Sequence, residues 1–273
     1  MQKIKFLSII IITIGIIAML FTGCGEEKKA AIAAYDRECD RIRSEQAILE
    51  QTIEDSQALI DTKEKPYVEK TIPALETAIA DARALIVEIP ERKGNAEKIY
   101  TLVNDTMKKI SYVKANETLT AVKTDLENSI KIMKQVTNPS EAFIIERIKD
   151  INTITGYAGV TEDNDPNGML NKPGGYTSTV YFASSQIKKK DRMWLDGTII
   201  ENGTDGGGSI EVYATEEDAK KRCEYLSQFD GTVTASGSHT VVGTVLVRTS
   251  DQLTASQQKE LESIIINNLT ELR

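Results

Sequence analysis

The residues best suited to chemistry in this sequence form a polar run, Asp163-Asn164-Asp165-Pro166-Asn167-Gly168. This run matches the first half of a calcium-binding loop, in which alternate oxygen side chains converge on one cation and a glycine permits the sharp turn. Asp163, Asp165 and Asn167 are therefore candidate calcium ligands. The twelfth position of such a loop carries a bidentate Glu, whereas this sequence has Gly174 there. A surface turn is the alternative, because Asp, Asn, Pro and Gly also favour turns.

Acidic side chains in the same part of the chain suit general acid–base chemistry. Glu162, Asp163, Asp165 and Asp205 are the candidates for a hydrolase that uses paired carboxylates. The sequence does not show that any two of them face each other. We therefore expect a protein that is not an enzyme, and calcium is the only cofactor that any motif suggests.

Two further motifs predict no chemistry. Ser238 and His239 are neighbours on a predicted strand, so their side chains point to opposite faces and do not form a nucleophile–base pair. Gly206-Gly207-Gly208 precedes a predicted strand and lacks the Lys and the helix of a phosphate loop. We expect a structural histidine and a flexible or close-packed glycine loop.

The chain has three Cys and one His, too few for a His/Cys metal centre or a disulfide scaffold. Cys39 falls on a predicted helical stripe, where it is either a small core hydrophobe or an intermolecular disulfide partner. Cys223 lies on a different predicted helix.

The third cysteine, Cys24, ends a segment with the features of an export signal. Lys3 and Lys5 precede an apolar stretch, and charged residues resume at Glu26. The sequence Leu20-Phe21-Thr22-Gly23-Cys24 resembles the lipobox of bacterial lipoproteins. The resemblance implies that residues 1–23 are a cleaved signal peptide, that Cys24 carries the lipid, and that the lipid attaches the protein to the membrane.

An uncleaved transmembrane anchor is the alternative interpretation of this segment. The 20 residues from Phe6 to Gly25 carry no charge, and about 20 apolar residues span a bilayer. Both interpretations place the rest of the chain on the extracytoplasmic face of the cell membrane.

The glycine distribution divides the remaining chain in two. Gly94 is the single glycine between Glu26 and Thr137, whereas 13 of the 17 lie in residues 138–273. This shift predicts a helical stalk, 24–137, and a head rich in turns and strands, 138–273, with a linker at Asn138-Pro139-Ser140.

The stalk has the heptad spacing of a coiled coil. The first stripe is Ile32, Tyr35, Cys39, Ile42, Leu49, Ile53 and Ile60, with Gln46 and Ser56 as polar interruptions. A second stripe lies between Pro66 and Pro90, and Pro73 predicts a kink or a late helix start. A third helix is predicted from Asn95 to Met133, on the order of 60 Å long. Short connections favour an antiparallel bundle that acts as a spacer or supports self-association.

The head contains alternating helix and strand patterns. A helix is predicted after Ser140, strands at Tyr176–Ser184 and Ser209–Ala214, and a short strand at Thr198–Ile200. Thr215 and Thr254 are predicted N-caps of two further helices. His239–Thr249 is the clearest predicted strand, and Lys188-Lys189-Lys190 next to Trp194 forms a basic loop.

Several runs of the head resemble a C-terminal domain of clostridial-type surface lipoproteins. The runs are TEDNDPNG, GGYTSTVYF, GTDGGGSIEVY, ASGSHTVVGTVLVRTS and LTASQQKELE. The resemblance covers nearly all of residues 138–273 and implies an extracytoplasmic α+β head behind a helical anchor. It implies no activity and no site residue.

The predicted fold class is α+β: an N-terminal helical coiled-coil bundle followed by an α+β sandwich. The net charge of −8 excludes a nucleic-acid-binding surface, and it divides into +2 in the signal segment, −3 in the stalk and −7 in the head. We expect a lipid-anchored surface protein whose head binds an extracytoplasmic protein or envelope ligand. An envelope hydrolase and a purely structural spacer or oligomer are the alternatives.

Overall fold

The computed structural model describes residues 24–188, 195–232 and 237–273. The predicted signal segment before Cys24, Lys189, Lys190 and Trp194 lie outside these ranges. Within the ranges, no helix combines the length and the apolar composition that a bilayer crossing requires.

The described ranges contain eight α-helices and five β-strands. The helices are α1 (Cys24–Asp61), α2 (Thr71–Ala84), α3 (Ala96–Asp105), α4 (Val113–Gln135), α5 (Glu141–Ile148), α6 (Ile199–Asn202), α7 (Glu216–Ser227) and α8 (Ala255–Thr270). The strands are β1 (Ile154–Gly159), β2 (Tyr176–Ser184), β3 (Gly207–Tyr213), β4 (His239–Val242) and β5 (Val245–Thr249). The α+β class predicted from the sequence is confirmed.

The strands form one antiparallel sheet in the order β1-β2-β3-β5-β4. Because side chains alternate along a strand, neighbouring residues of the central strands enter different cores. Val180, Phe182 and Ile210 pack with buried residues of α5 and α8. Tyr181 and Tyr213 pack on the opposite face, against α7. The sheet therefore has a helical layer on each face.

Side-chain caps begin the helices of the head where the sequence predicts them. The hydroxyl of Thr215 accepts the N–H of Asp218, and Thr254 forms a capping box with Gln257. Thr198 forms a second capping box, with Glu201, and begins α6. The short strand predicted at Thr198–Ile200 is therefore wrong, because this cap satisfies the backbone in a helical turn instead.

The strand predicted at His239–Thr249 is a hairpin of β4 and β5. Val242 pairs with Val245, so Gly243 and Thr244 form the turn between them. Gly243 has a φ of 60°, a conformation that glycine adopts without steric cost. The apolar run therefore predicts strand correctly, but the single glycine reverses the chain.

Residue contacts divide the chain into two compact units. Among the described residues, 24–50 and 85–115 belong to the first unit, whereas 51–84 and those from 116 onward belong to the second. Segments of the predicted stalk thus share a unit with the sheet. The stalk–head boundary at residue 138 stays a prediction from composition.

Within the second unit, the β4–β5 turn holds the predicted linker. The N–H of Thr244 donates to the carbonyl of Val136 at 3.0 Å, and the N–H of Asn138 donates to the hydroxyl of Thr244 at 2.6 Å. The hydroxyl of Thr177 donates to the side-chain carbonyl of Asn138 at 2.8 Å. These hydrogen bonds hold the backbone of residues 136–138, where the glycine content of the sequence begins to rise.

The long third helix predicted from Asn95 to Met133 is wrong, because α3 ends at Asp105 and α4 begins at Val113. Two side chains of α1 satisfy the backbone groups that the break leaves free. Arg41 donates to the carbonyls of Met107 and Ile110, at 3.1 and 2.9 Å. Glu45 accepts the N–H of Tyr112 at 2.9 Å.

Arg41 and Glu45, which together hold the segment between α3 and α4, also form an ion pair with each other. Arg41 also donates to Glu45 at 2.8 Å. Burial of the carboxyl acts to raise the pKa of Glu45, but hydrogen bonds from Tyr112, Arg41 and Ser111 outweigh it and lower the pKa. The folded first unit therefore stabilises the ionised form of the Glu45 carboxyl.

Glu45→Gln is expected to lower the free energy of unfolding at pH 7 by about 1–3 kcal/mol, because the N–H of Tyr112 and the guanidinium of Arg41 lose a charged acceptor. A lowered folded-state pKa means that this stabilisation is present above the ordinary Glu pKa and is lost as the pH falls through the folded-state value. Urea unfolding followed by circular dichroism, at pH 7 and at about pH 3, measures the effect.

Glu50→Gln is the matched control for this measurement, since Glu50 lies on the same helix and its exposed carboxylate accepts a hydrogen bond from the side chain of Gln46. The control is expected to keep wild-type stability at pH 7. Equal losses in the two variants, or no loss in either, contradict the role of Glu45.

Candidate functional site

The α7-facing side of the sheet carries an ion pair beneath the helix. Glu211 of β3 is 0% exposed, Arg248 of β5 is 6% exposed, and the guanidinium Nη1 lies 2.7 Å from the carboxylate Oε1. Buried charges are tolerated only when they are paired and hydrogen-bonded. Glu211 and Arg248 therefore have to be placed together by the pairing of β3 with β5.

Two further groups complete the surroundings of Glu211. The hydroxyl of Tyr213 donates to Oε2 at 2.7 Å, and Nε of Arg222 on α7 lies 3.6 Å from the same oxygen. Burial and the charge of Glu211 raise the pKa of Tyr213 well above its usual range, so this hydroxyl keeps its proton. Sequence reasoning missed this cluster, although a Glu and an Arg inside two apolar strand patterns are its signal.

The loop between β1 and β2 contains the predicted calcium ligands. The carboxylate of Asp165 accepts the backbone N–H groups of Asn167, Met169 and Leu170, at 3.0, 2.6 and 2.8 Å. It also accepts the hydroxyl of Tyr176. Although burial opposes the shift, these hydrogen bonds lower the pKa of Asp165.

Asn167 extends this network into the sheet. Its side-chain nitrogen lies 3.4 Å from the hydroxyl oxygen of Tyr176 and 3.2 Å from that of Tyr181. Asp163, by contrast, is exposed. The structure thus brings Asp165 and Asn167 to the same tyrosine, Tyr176.

The described ranges contain no group of three or more His, Cys, Asp or Glu side chains placed to hold a metal ion. The carboxylate of Asp165 already has four donors, so a cation at Asp165 would have to replace hydrogen bonds. The calcium site stays a prediction.

A polar cleft of about 440 Å³ lies at the start of β4. Its described lining is Asp230, Gly231, Gly237, Ser238, His239, Asp251 and Gln258. The imidazole Nε2 of His239 lies 3.0 Å from the hydroxyl oxygen of Ser227 and 3.6 Å from Oδ2 of Asp230. The side chains around this cleft are hydrogen-bonding and acidic.

Ser238 points away from His239, as the strand pattern predicts. Its hydroxyl donates to Glu262 of α8 at 2.6 Å, whereas His239 faces α7. Ser227 and Asp230 both approach the same imidazole nitrogen, while a nucleophile triad uses one partner on each nitrogen. The surroundings of His239 therefore differ from those of a nucleophile triad.

The carboxylates predicted for hydrolysis lie in different surroundings. Glu162 and Asp163 are exposed, and Asp165 belongs to the tyrosine network. Asp205 lies between α6 and β3, where partial burial and the charge of Asp251 raise its pKa. Asp251, which the sequence interpretation did not include, is thus the acidic neighbour of Asp205.

The remaining residues that the sequence analysis discusses are the three cysteines and the glycine run. Cys24 is the first residue of α1. Cys39 is buried and Cys223 is half-buried, and both are free thiols. A side chain at Gly207 would collide with the carbonyl oxygen of Phe182, and one at Gly208 with that of Arg248, so close packing explains these glycines.

Comparison with known proteins identifies no relative of this chain: no protein-family model, no curated protein and no solved structure matches it.

Asp165→Asn is expected to destabilise the protein at pH 7 by about 1–3 kcal/mol, because the four donors lose an ionised acceptor. Because the pKa of Asp165 is lowered in the folded state, this stabilisation is present at pH values above the ordinary Asp pKa. The difference in stability from wild type disappears as the pH falls through the folded-state pKa. Thermal unfolding at several pH values measures it. Asp163→Asn, which changes an exposed carboxyl, is expected to match wild type; a D165N protein as stable as D163N would contradict the network's role.

Calcium at about 2 mM is expected to leave the melting temperature unchanged, because the oxygens of Asp165 are occupied by hydrogen bonds. The measurement compares calcium with magnesium at equal ionic strength. A rise in melting temperature that is specific to calcium and is removed by Asp163→Asn would instead establish the loop as a calcium site.

Proposed function

We propose that this protein is a lipid-anchored bacterial surface protein in which a helical coiled-coil spacer presents an α+β binding head. The observation that carries the proposal is the sequence Leu20-Phe21-Thr22-Gly23-Cys24, placed where an apolar segment ends and a charged one begins. The lipid on Cys24 attaches the chain to the extracytoplasmic face of the membrane.

The charge of the chain supports attachment by lipid. Both the stalk and the head are acidic, with −3 and −7, so anionic lipid headgroups repel them. A surface of this sign does not bind the membrane by electrostatic attraction. The acyl chains therefore supply the membrane affinity.

The burial pattern of α1 supports a coiled-coil spacer. Its buried residues include Cys39, Ile42, Leu49, Ile53 and Ser56, which step by three, four or seven. This narrow stripe is typical of a helix that packs through one seam. The interruption between α3 and α4 shortens the continuous helices of the bundle without changing this spacing in α1. Self-association would use the same kind of seam.

The cleft at His239 supports binding as the task of the head. Its polar lining suits a hydroxyl-bearing or amine-bearing ligand of the envelope, since acidic and amide groups accept hydrogen bonds from both. The arrangement around Nε2 of His239 does not activate a serine, which favours binding over hydrolysis.

Metabolic labelling with an alkyne analogue of palmitate tests the anchor. In bacterial cells that express the chain, the wild type is expected to carry the label and to sediment with membranes. Cys24→Ala is expected to lose the label, because no other thiol lies at a lipobox. Cys39→Ala is the matched control and is expected to keep it.

Two results would contradict the lipid anchor. One is a wild-type protein that takes up no label, while a known lipoprotein in the same cells does. The other is a Cys24→Ala protein that is labelled and processed like the wild type.

A further inference from the structure

The sheet of the head has two edge strands, β1 and β4. β1 has six residues, whereas β4 has four and packs beneath α7. Among the described residues, no strand pairs with the outer edge of β1. An edge of this kind presents backbone donors and acceptors to any extended chain that approaches it.

The hydrogen bonds of β1 identify the residues that face outward. The N–H of Val160 donates to the carbonyl of Thr179 at 3.0 Å, and Ala158 pairs with Tyr181 in the same register. In an antiparallel ladder the intervening residues direct their N–H and C=O away from the partner strand. Tyr157 and Gly159 therefore present their backbone groups at the outer edge.

β1 carries none of the charged residues or prolines by which many natural edge strands avoid pairing, and after an irregularity between Ile154 and Gly156 its ladder with β2 is regular to Gly159. Its sequence, ITGYAG, contains no Lys, no Pro and no other charged residue. The ring of Tyr157 is also 39% exposed on this strand. The composition thus leaves the edge open to a partner strand.

Acidic residues lie at both ends of β1. Asp150 is exposed before the strand, and Glu162 and Asp163 are exposed after it. The carboxylate of Glu141 lies against Gly159. Lys149, the nearest base in the sequence, is already paired with Glu146 at 2.8 Å.

This charge distribution selects the partner. A second copy of β1 pairing antiparallel would bring Asp150 of one chain towards Glu162 of the other, and like charges at a contact are unfavourable. An extended segment with basic residues at its two ends would meet opposite charges at both.

We propose that the outer edge of β1 binds an extended, basic segment of a partner protein as a sixth strand of the sheet. The segment spans roughly 20 Å, the length of six residues in a strand, and carries Lys or Arg at each end. Main-chain hydrogen bonds at Tyr157 and Gly159 supply affinity, and the acidic ends supply selectivity. The inference rests on the proposed function of the head as a binding module.

Fluorescence polarisation with the full-length chain in detergent micelles tests this pairing. The first labelled peptide alternates Val and Thr over six residues between terminal lysines. A second replaces the lysines by Glu, and a third keeps the lysines but carries N-methyl groups on alternate backbone nitrogens. We expect the first to bind, and the other two to bind at least about tenfold more weakly.

A charge-reversed variant locates the binding. Asp150→Lys combined with Glu162→Lys changes two exposed residues at the ends of β1 and is expected to weaken the first peptide at least about tenfold. Glu217→Lys combined with Glu224→Lys makes the same charge change on exposed positions of α7. This matched control is expected to retain the affinity within a factor of about two.

Three results would overturn the proposal. They are no binding of the first peptide up to about 1 mM, equal affinity for the N-methylated peptide, and equal losses in the two charge-reversed variants. Light scattering that shows a dimer abolished by Asp150→Lys/Glu162→Lys would also overturn it, because a second copy would then occupy the edge. If the palmitate analogue still labels Cys24, such results reject the β1 proposal alone and leave the lipid-anchor proposal intact.

Discussion

The fold of the head depends on a buried carboxylate in the middle of its sheet, which needs a charged partner and hydrogen-bond donors. Glu211 lies on the central strand β3, fully buried, and its partners come from β5, from β3 itself and from α7. Removing one partner of a buried pair costs about 3–5 kcal/mol, so alternative strand pairings are strongly disfavoured. A slip of one residue would turn Glu211 towards the apolar face that contains Ile210 and Val212. The ion pair and the apolar pattern of β3 thus favour the same register.

The need to satisfy polar groups also explains a feature of the first unit. There α3 ends and α4 begins with no proline between them. Backbone groups freed between α3 and α4 need partners, and α1 supplies them through Arg41 and Glu45. One helix therefore contributes both an apolar stripe and a polar clamp. Because the two side chains lie four residues apart on one helix face, they also pair with each other.

The proposed binding function rests on three features of the head. Acidic charge is concentrated there, the cleft at His239 offers hydrogen-bonding groups, and β1 leaves backbone groups at a sheet edge. Tyr176 and Tyr213, whose pKa values are raised, donate to the carboxylates of Asp165 and Glu211. Their perturbation reflects folding of the core, since burial and neighbouring charge are its causes.

The sequence by itself determined the α+β class, the strand at Tyr176–Ser184, the helix caps at Thr215 and Thr254, and the opposite directions of Ser238 and His239. All of these follow from local periodicity and capping chemistry, which act over a few residues. Only the tertiary structure decided the break before α4, the reversal at Gly243 and the meeting of Glu211 with Arg248. The break and the ion pair depend on groups far apart in the chain, as Arg41 and Ile110 are, and a single sequence does not encode such contacts in its local pattern. The reversal depends on one residue, Gly243, inside a run whose apolar pattern continues on both sides of it.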